Sequence, residues 1–538
     1  MAAIITDDFR RNQARLLVND IKASGDPEFD STANSSSNSN ESNWPYRGNN
    51  RYAIGLGKAD KWPNDSSNNA EDNSSFIVPS PEGTSQENND IISNLFTLKD
   101  IPSTNVKQLV AKNPWTTGRK YKVYDQTDDD MFYSTGDVYP CVVSYSNKIY
   151  MCLSNTAVNG GFGGTVAAST TIPAPSTFGV TATPNSDGYV WTEVAGFSSN
   201  DPLATSQFSP VDSQTLTAAQ IQKTGGLLTH IGLSDGGAGY SSVPTVTLTL
   251  ATSTHVAINS TAISLVPTVV GGVITRIDIR DASTNPTHAG SYEYWKNEAS
   301  GFLNSSNASR IAYATVTISG GSPSRAAKAY ASIAPITGFA KNALDILPAW
   351  FVGMYTDFDG TETDGDSPIL KFRQVSLLKN VVGVFGAAGA GDTEGTSAES
   401  KAVLDCLNSI TLSGVNSSNM TALVEGTALQ AGASKFYYDY YVPTSSSTGK
   451  LFYHQNSNSE INQIVPPAIG TTAVTTIVGG TTIAADITAL DLAQEYDVFI
   501  PNGDNPDKRN GEVIFLENRQ PFARSTSQTE EVKLVIQL

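Results

Sequence analysis

The last residues of the chain read as a strand. Val532, Leu534 and Ile536 alternate with Glu531, Lys533 and Val535, up to Leu538. Period-two alternation sorts side chains onto the two faces of an extended segment. A lone strand leaves its backbone N–H and C=O groups without partners, so this one requires a sheet laid down earlier in the chain. A second apolar run at 513–516 precedes it across a polar stretch. The pair is expected to form a C-terminal β-hairpin over 506–538 that closes the core.

The rest of the sequence supports a mainly β fold, an antiparallel β-sandwich core with a few short helices and β-rich insertions. Its 538 residues suggest about three to four domains. Thr6 can cap an amphipathic helix with Asp7 and Asp8 at its positive end, an apolar stripe of Phe9, Leu16, Leu17 and Ile21, and a stop at Gly25-Asp26-Pro27. That helix and a loop-rich stretch make up 1–120. Short β-type runs separated by Gly, Asn and Pro turns make 121–227 the first part of the core. A degenerate repeat marks 228–335 as an inserted β domain. In it 228–235 leads through Gly236–Tyr240 to 246–249, and 274–281 leads through His288–Tyr292 to 315–318. Core-like sequence returns at 336–390. A second insertion of mixed character fills 391–505, opening with a Gly/Ala linker and a short helix at 398–407. It then carries an aromatic strand at 436–441, a β-rich stretch at 473–487 and a polar loop at 503–510.

Composition removes several functions. With 34 basic and 52 acidic residues the net charge is −18, which repels nucleic acid and anionic lipid. No apolar run approaches the ~20 residues of a membrane span, and the first residues lack a signal-peptide core. The sequons at Asn34, Asn304 and Asn419 then read as Asn/Ser-rich composition. Three cysteines argue against a disulfide scaffold. If Ser146-Asn147 is a two-residue hairpin turn, Cys141 and Cys152 face each other at about 5.5 Å between Cα atoms. That spacing permits a bond, but two buried thiols acting as small hydrophobes are expected.

Few residues suggest chemistry. Asp357, Asp359, Asp364 and Asp366 cluster on a Gly-bearing run where a hard cation could sit. The run lacks the glycine and glutamate spacing of a calcium loop, so a solvated acidic loop is expected, without a bound metal. Asp128–Asp130 is a shorter version. The Gly-rich runs 160–164 and 386–392 lack a P-loop ending. His230, His255, His288 and His454 show no ligand spacing, and no nucleophile elbow occurs. No catalytic residue and no cofactor site are expected. Arg519 and Arg524, with Glu517, Glu530 and Glu531, form a charged set near the terminus that either braces the hairpin or pairs between subunits. A rival reading as an adhesin or carbohydrate-binding tail protein rests on Tyr240, Tyr292, Tyr294 and Trp295 in the first insertion.

Several blocks, taken in order, resemble one family. They are Thr6-Asp7-Asp8-Phe9-Arg10; the run from Tyr52 to Lys58 with Trp62-Pro63; and Val142-Val143 with Ile149–Leu153, followed by Asp187-Gly188-Tyr189-Val190-Trp191. Next come Lys371–Leu377, and Glu517-Asn518-Arg519-Gln520-Pro521 with Arg524, Glu530 and Glu531 before the last strand. In this order they resemble the dimeric baseplate wedge subunits, of the gene product eight type, of T-even-like contractile-tailed phages. Segments 211–335 and 391–505 have no counterpart in that pattern. The resemblance implies a non-enzymatic virion part of the tail baseplate, assembled in the bacterial cytoplasm. It also implies a homodimer in contact with neighbouring wedge subunits.

Overall fold

The structure is a computed structural model. It describes residues 5–23, 52–58, 61–84, 87–88, 91, 95–125, 128, 130–155, 168–173, 187, 189–211, 228–250, 263–281, 314–333, 343–359, 371–379, 383–385, 403–405, 408–454, 467–491, 504–506, 512–523 and 529–538. The fold is mainly β and almost wholly antiparallel. The chain groups into two compact units, 1–16 with 107–353 and 535–538, and 17–106 with 354–534. The first insertion falls within the first unit and the second insertion within the second. No described helix is long and apolar enough to cross a membrane.

The first helix, α1 (Asp7–Ala23), begins as expected: the Phe9 N–H donates to Thr6 Oγ1 at 3.2 Å. Its buried stripe shares Ile21 with the expected one but not Phe9 and Leu16: Ala14, Val18 and Ile21 are buried, Leu17 is half-buried, and Phe9 and Leu16 are exposed. Positions 14, 18 and 21 have helical spacing of their own. The stop at Gly25-Asp26-Pro27 lies outside the described residues.

In the first unit the strands Val142–Tyr145, Lys148–Ser154 and Val190–Gly196 form one sheet. Ser146 (φ 49°) and Asn147 (φ 60°) both have positive φ, the signature of a type I′ hairpin turn. The turn pairs Val142 with Met151 and puts Cys141 opposite Cys152, whose N–H donates to the Cys141 carbonyl at 2.8 Å. Both are buried thiols with no disulfide between them, as expected; Cys406 lies outside the described residues. Asp187 accepts from the N–H groups of Thr170, Thr171 and Tyr189 at 2.7, 2.9 and 3.1 Å. Tyr189 stacks on Trp191 with ring centroids 5.6 Å apart, and Tyr121 meets Trp191 edge-on at 5.4 Å. The D-G-Y-x-W block thus folds as a loop anchor and a piece of core.

The repeat of the first insertion is real as strands but not as symmetry. Leu228–Asp235 pairs with Lys328–Ile333, while Val273–Asp281 pairs with Ile263–Val270. Their follow-on strands, Thr245–Leu250 and Ala314–Ser319, pair with each other. Ile231, Tyr240, Val246, Ile274, Ile277 and Ala331 make a core of the segment's own.

In the second unit five strands pair in the order Val403–Asp405, Leu95–Asp100, Tyr52–Gly57, Lys371–Lys379 and Glu512–Ala523. Tyr52–Gly57 is buried throughout, so both faces of the sheet's centre are covered. Gly55 is required there: a Cβ would lie 2.6 Å from Leu95 Cδ2. A seven-stranded sheet built from 428–431, 434–443, 448–454 and their neighbours makes up most of the second insertion. Its core holds Ile410, Leu412, Leu429, Phe436, Leu451 and Tyr453. The expected aromatic strand lies within Ser434–Pro443.

Three expectations fail here. The described part of the predicted 398–407 helix, Val403–Asp405, is a strand paired with Leu95–Asp100; sheet pairing overrides local helical pattern. Asp504–Pro506, read as loop, pairs with Gly383–Phe385. The C-terminal hairpin does not exist. Glu512–Ala523 runs straight through the expected bend and pairs with Lys371–Lys379. Pro521 is tolerated because this is an edge strand with an irregular register beside it. The last strand, Thr529–Gln537, belongs to a different sheet, in the order Thr529–Gln537, Phe351–Asp359, Val106–Ala111, Phe208–Pro210.

The terminal strand itself behaves as its alternation requires. Val532 and Leu534 are buried, Ile536 is half-buried, and Glu531 faces outward beside Lys533 at 3.0 Å. Leu534→Ala should cost about 2–5 kcal/mol in urea unfolding, whereas Glu531→Ala should cost under about 0.5 kcal/mol. Equal costs would contradict this placement of the strand.

A buried arginine junction as the candidate functional site

The strand Lys371–Lys379 is buried on most of its length, yet carries Arg373. The side chain is 0% exposed. A guanidinium cannot lose its charge, so burying it requires acceptors for its donors. The second unit supplies them. Nε and Nη2 each donate to one oxygen of Glu71 at 2.7 Å, a bidentate fork. Nη1 donates to the carbonyls of Lys371 (3.0 Å) and Lys58 (3.3 Å) and to Glu425 Oε1 at 3.3 Å. Lys58 lies in the left-handed region at φ 65°, and its carbonyl is one of these acceptors.

Around this fork, chain segments far apart in sequence converge. Glu71 also accepts the Trp62 N–H at 3.0 Å. The Trp62 indole N–H donates to the Arg519 carbonyl at 2.9 Å, and the Lys58 ammonium sits 4.5 Å from the Trp62 ring centre. Gln374 donates to Asn518 Oδ1 at 2.9 Å, and the Asn518 amide donates to the Pro79 carbonyl at 3.0 Å. The Arg519 guanidinium lies 5.6 Å from the Phe372 ring and 5.8 Å from the Phe522 ring. Glu425 belongs to the turn that leads into Ala428–Ala431 of the seven-stranded sheet, where the next residue, Gly426, donates to the Tyr438 carbonyl at 2.8 Å. In the same sheet His454 Nδ1 and Asp439 Oδ1 are 2.6 Å apart and buried.

The two carboxyl groups around Arg373 differ in their electrostatics. Burial alone would raise the Glu71 pKa, but the Arg373 fork and the Trp62 N–H outweigh it and hold that carboxyl below its ordinary value. Burial prevails at Glu425 and pushes its pKa up, against the weaker pull of Arg373 and with help from the Asp439 charge. Arg373 itself is driven further toward its charged form by the Glu71 contact, against the effect of burial. The junction therefore holds one firm ion pair and one carboxyl that ionises reluctantly.

The residues singled out by sequence lie elsewhere or contribute differently. Asp357 and Asp359 are on the strand Phe351–Asp359, whose buried Phe358 keeps it extended past the expected start of the acidic loop. Asp357 is exposed, and its carbonyl accepts from Lys99 Nζ. Asp364 and Asp366 lie outside the described residues, as do both Gly-rich runs. Among described residues no three metal-ligating side chains come together. Asp128 accepts the Asp130 N–H at 2.9 Å in a local turn. Arg519 reaches aromatic rings rather than a carboxylate, and Arg524 is outside the described residues. Glu530 is buried and Glu531 exposed on the terminal strand, in a different sheet from Arg519. The expected charged set is therefore not assembled among the described residues. Sequence reasoning missed Arg373 as a site: an arginine buried inside a strand has to have partners, but its burial shows only in the fold. Glu71 and Glu425 carry no local signal of that partnership.

The two carboxyls should separate on titration. A folded-state pKa below the unfolded value gives stability that is present above the unfolded pKa and lost as pH falls through the folded one. Glu71→Gln should therefore cost about 3–5 kcal/mol near pH 7, with the gap to wild type closing below the ordinary carboxylate range. A raised pKa works the other way, so ionised Glu425 opposes folding at neutral pH. Glu425→Gln should cost no more than about 1 kcal/mol there. Equal losses for the two variants in denaturant melts at pH 7 would refute the asymmetry.

Compared with family models and with curated proteins, the sequence matches none.

Proposed function

We propose that the chain is a structural subunit of a contractile phage tail, a baseplate wedge component that works as a homodimer. In this reading it joins neighbouring wedge subunits, assembles in the host cytoplasm and ends up in the virion. It takes part in baseplate assembly and in the rearrangement on infection, as a structural part that transmits force and not as a catalyst.

The observation that carries this reading is the convergence at Arg373. Three of the blocks that resemble the wedge family, around Lys58 and Trp62, around Arg373 and Gln374, and around Asn518 and Arg519, meet there. Their polar groups are spent on one another and on backbone. Such a directional, desolvated junction suits a part that must transmit force without yielding, because each bond broken leaves a buried group unsatisfied. The rival adhesin reading loses support at Tyr240, which lies in the core of the first insertion and accepts the Ala327 N–H at 2.9 Å. Tyr292, Tyr294 and Trp295 lie outside the described residues.

Light scattering on the purified chain at micromolar concentration should give twice the chain mass of 57.0 kDa. Mass spectrometry of purified virions should find the chain at baseplate stoichiometry, and phage lacking it should accumulate incomplete baseplates. A monomer that is missing from virions would overturn the proposal.

A further inference from the structure

The seven-stranded sheet buries an acid and a base against each other. Asp439 and His454 are 3% and 7% exposed, and His454 Nδ1–H donates to Asp439 Oδ1 at 2.6 Å. A local irregularity makes the contact. Tyr438 pairs with Tyr453 and Tyr440 with Phe452, so Asp439 is the extra residue of a β-bulge between them. Bulges re-aim a side chain and are built features rather than defects. The Tyr437 ring stacks on the imidazole with centres 5.4 Å apart and fixes its orientation.

This pair reaches the Arg373 junction through Glu425. The Gly426 N–H donates to the Tyr438 carbonyl at 2.8 Å, and the Tyr438 N–H donates to the Thr427 carbonyl at 2.9 Å. Glu425 and Asp439 therefore flank one backbone bridge, and the Asp439 charge acts on Glu425. From the strand Lys371–Lys379, Arg373 meets Glu425 at 3.3 Å, and the Lys371 charge acts on it more weakly. On the pair's own strands, Tyr438 also feels the Asp439 charge, and Lys450 lies over the Phe452 ring, 5.1 Å from its centre. On the next strand, Asn408–Ser413, the residues opposite Tyr453 and Phe452 are the uncharged Asn408 and Ser409.

Charge balance in this cluster depends on two protons. With both held, on Glu425 and on His454, Arg373 offsets Glu71 and His454 offsets Asp439. With both lost, three carboxylates share one buried guanidinium, and uncompensated buried charge is costly. We infer that the cluster is a pH-sensitive latch, fastening Ser434–Pro443 and Thr448–His454 to the Arg373 junction while Glu425 and His454 hold their protons, and loosening as pH rises. Burial first, and then the Asp439 charge, raise the Glu425 pKa. The stabilisation it gives is therefore full below the unfolded value and is lost as pH rises through the folded one. His454 acts in the same sense, because a neighbouring carboxylate favours the charged imidazole. Glu71, with its lowered pKa, acts in the opposite sense and keeps the fork intact as pH falls.

Peptide-resolved hydrogen exchange of the full chain, compared between about pH 6 and pH 8.5 after correction for intrinsic rates, tests the latch. One linked proton changes an opening equilibrium by up to about tenfold per pH unit. Protection of Ser434–Pro443 and Thr448–His454 should therefore fall by about tenfold or more at the higher pH, while Lys148–Ser154 in the first unit keeps its protection. Glu425→Gln mimics the protonated acid and should remove part of the fall. Asp439→Asn with His454→Gln keeps a hydrogen bond without titrating, and combined with Glu425→Gln it should leave protection insensitive to pH. Wild-type protection that does not fall, or that falls equally in both units, overturns the latch. A fall that Glu425→Gln leaves at full size overturns it as well, whether or not the variant at Asp439 and His454 folds.

Discussion

Arg373 sits on the inner strand of the five-stranded sheet with no exposed surface, and its charge persists at any pH the protein meets. Leaving such a group without acceptors would cost more than a typical domain's whole margin of stability. The surrounding chain is arranged around that constraint. Lys58 offers its carbonyl from a left-handed backbone, Glu71 reaches in from a loop to make the fork, and Glu425 comes from the turn that leads into Ala428–Ala431 of the seven-stranded sheet. A buried ion pair of this kind is a weak source of net stability compared with apolar packing of the same volume. Its value is specificity, since few other arrangements satisfy three guanidinium nitrogens at once.

The same logic links fold to role. The wedge reading asks for a part that holds its shape under load, and the junction supplies directional bonds between a loop, a central strand, an edge strand and a separate sheet. Glu512–Ala523 would otherwise be an unsupported edge, half-exposed along its length. Asn518 and Arg519 tie it through side chain and carbonyl to Gln374, Pro79 and Trp62. Pinning an edge strand in this way also limits its pairing with other chains.

Some of this was legible in the residues alone. The Ser146-Asn147 turn fixed a register that placed Cys141 opposite Cys152, because two-residue turns leave no freedom in pairing. The alternation of Val532 and Leu534 told their burial, since facing follows from period two. Long-range choices were not legible. Nothing local tells whether 512–523 pairs with the next strand or with Lys371–Lys379, and the tempting short connection was the wrong one. On α1 Ile21 is buried as the apolar stripe requires, but Phe9 and Leu16 are exposed and the smaller Ala14 and Val18 are buried instead. The Arg373 site was not legible: a strand with polar residues at Lys371, Arg373, Gln374, Ser376 and Lys379 does not announce that its arginine is buried, and Glu71 and Glu425 are ordinary glutamates until the fold brings them in.

The central claim is that Arg373 and Glu71 act as one buried unit on which the second unit depends. A double-mutant cycle with Arg373→Met and Glu71→Leu, read by denaturant unfolding at neutral pH, tests it most directly. Each single change strands a buried charge, and the double removes both. The account predicts that the double variant is no less stable than the worse single one, with a coupling of about 3 kcal/mol. Losses that simply add would show that the two residues do not act together, and would contradict it.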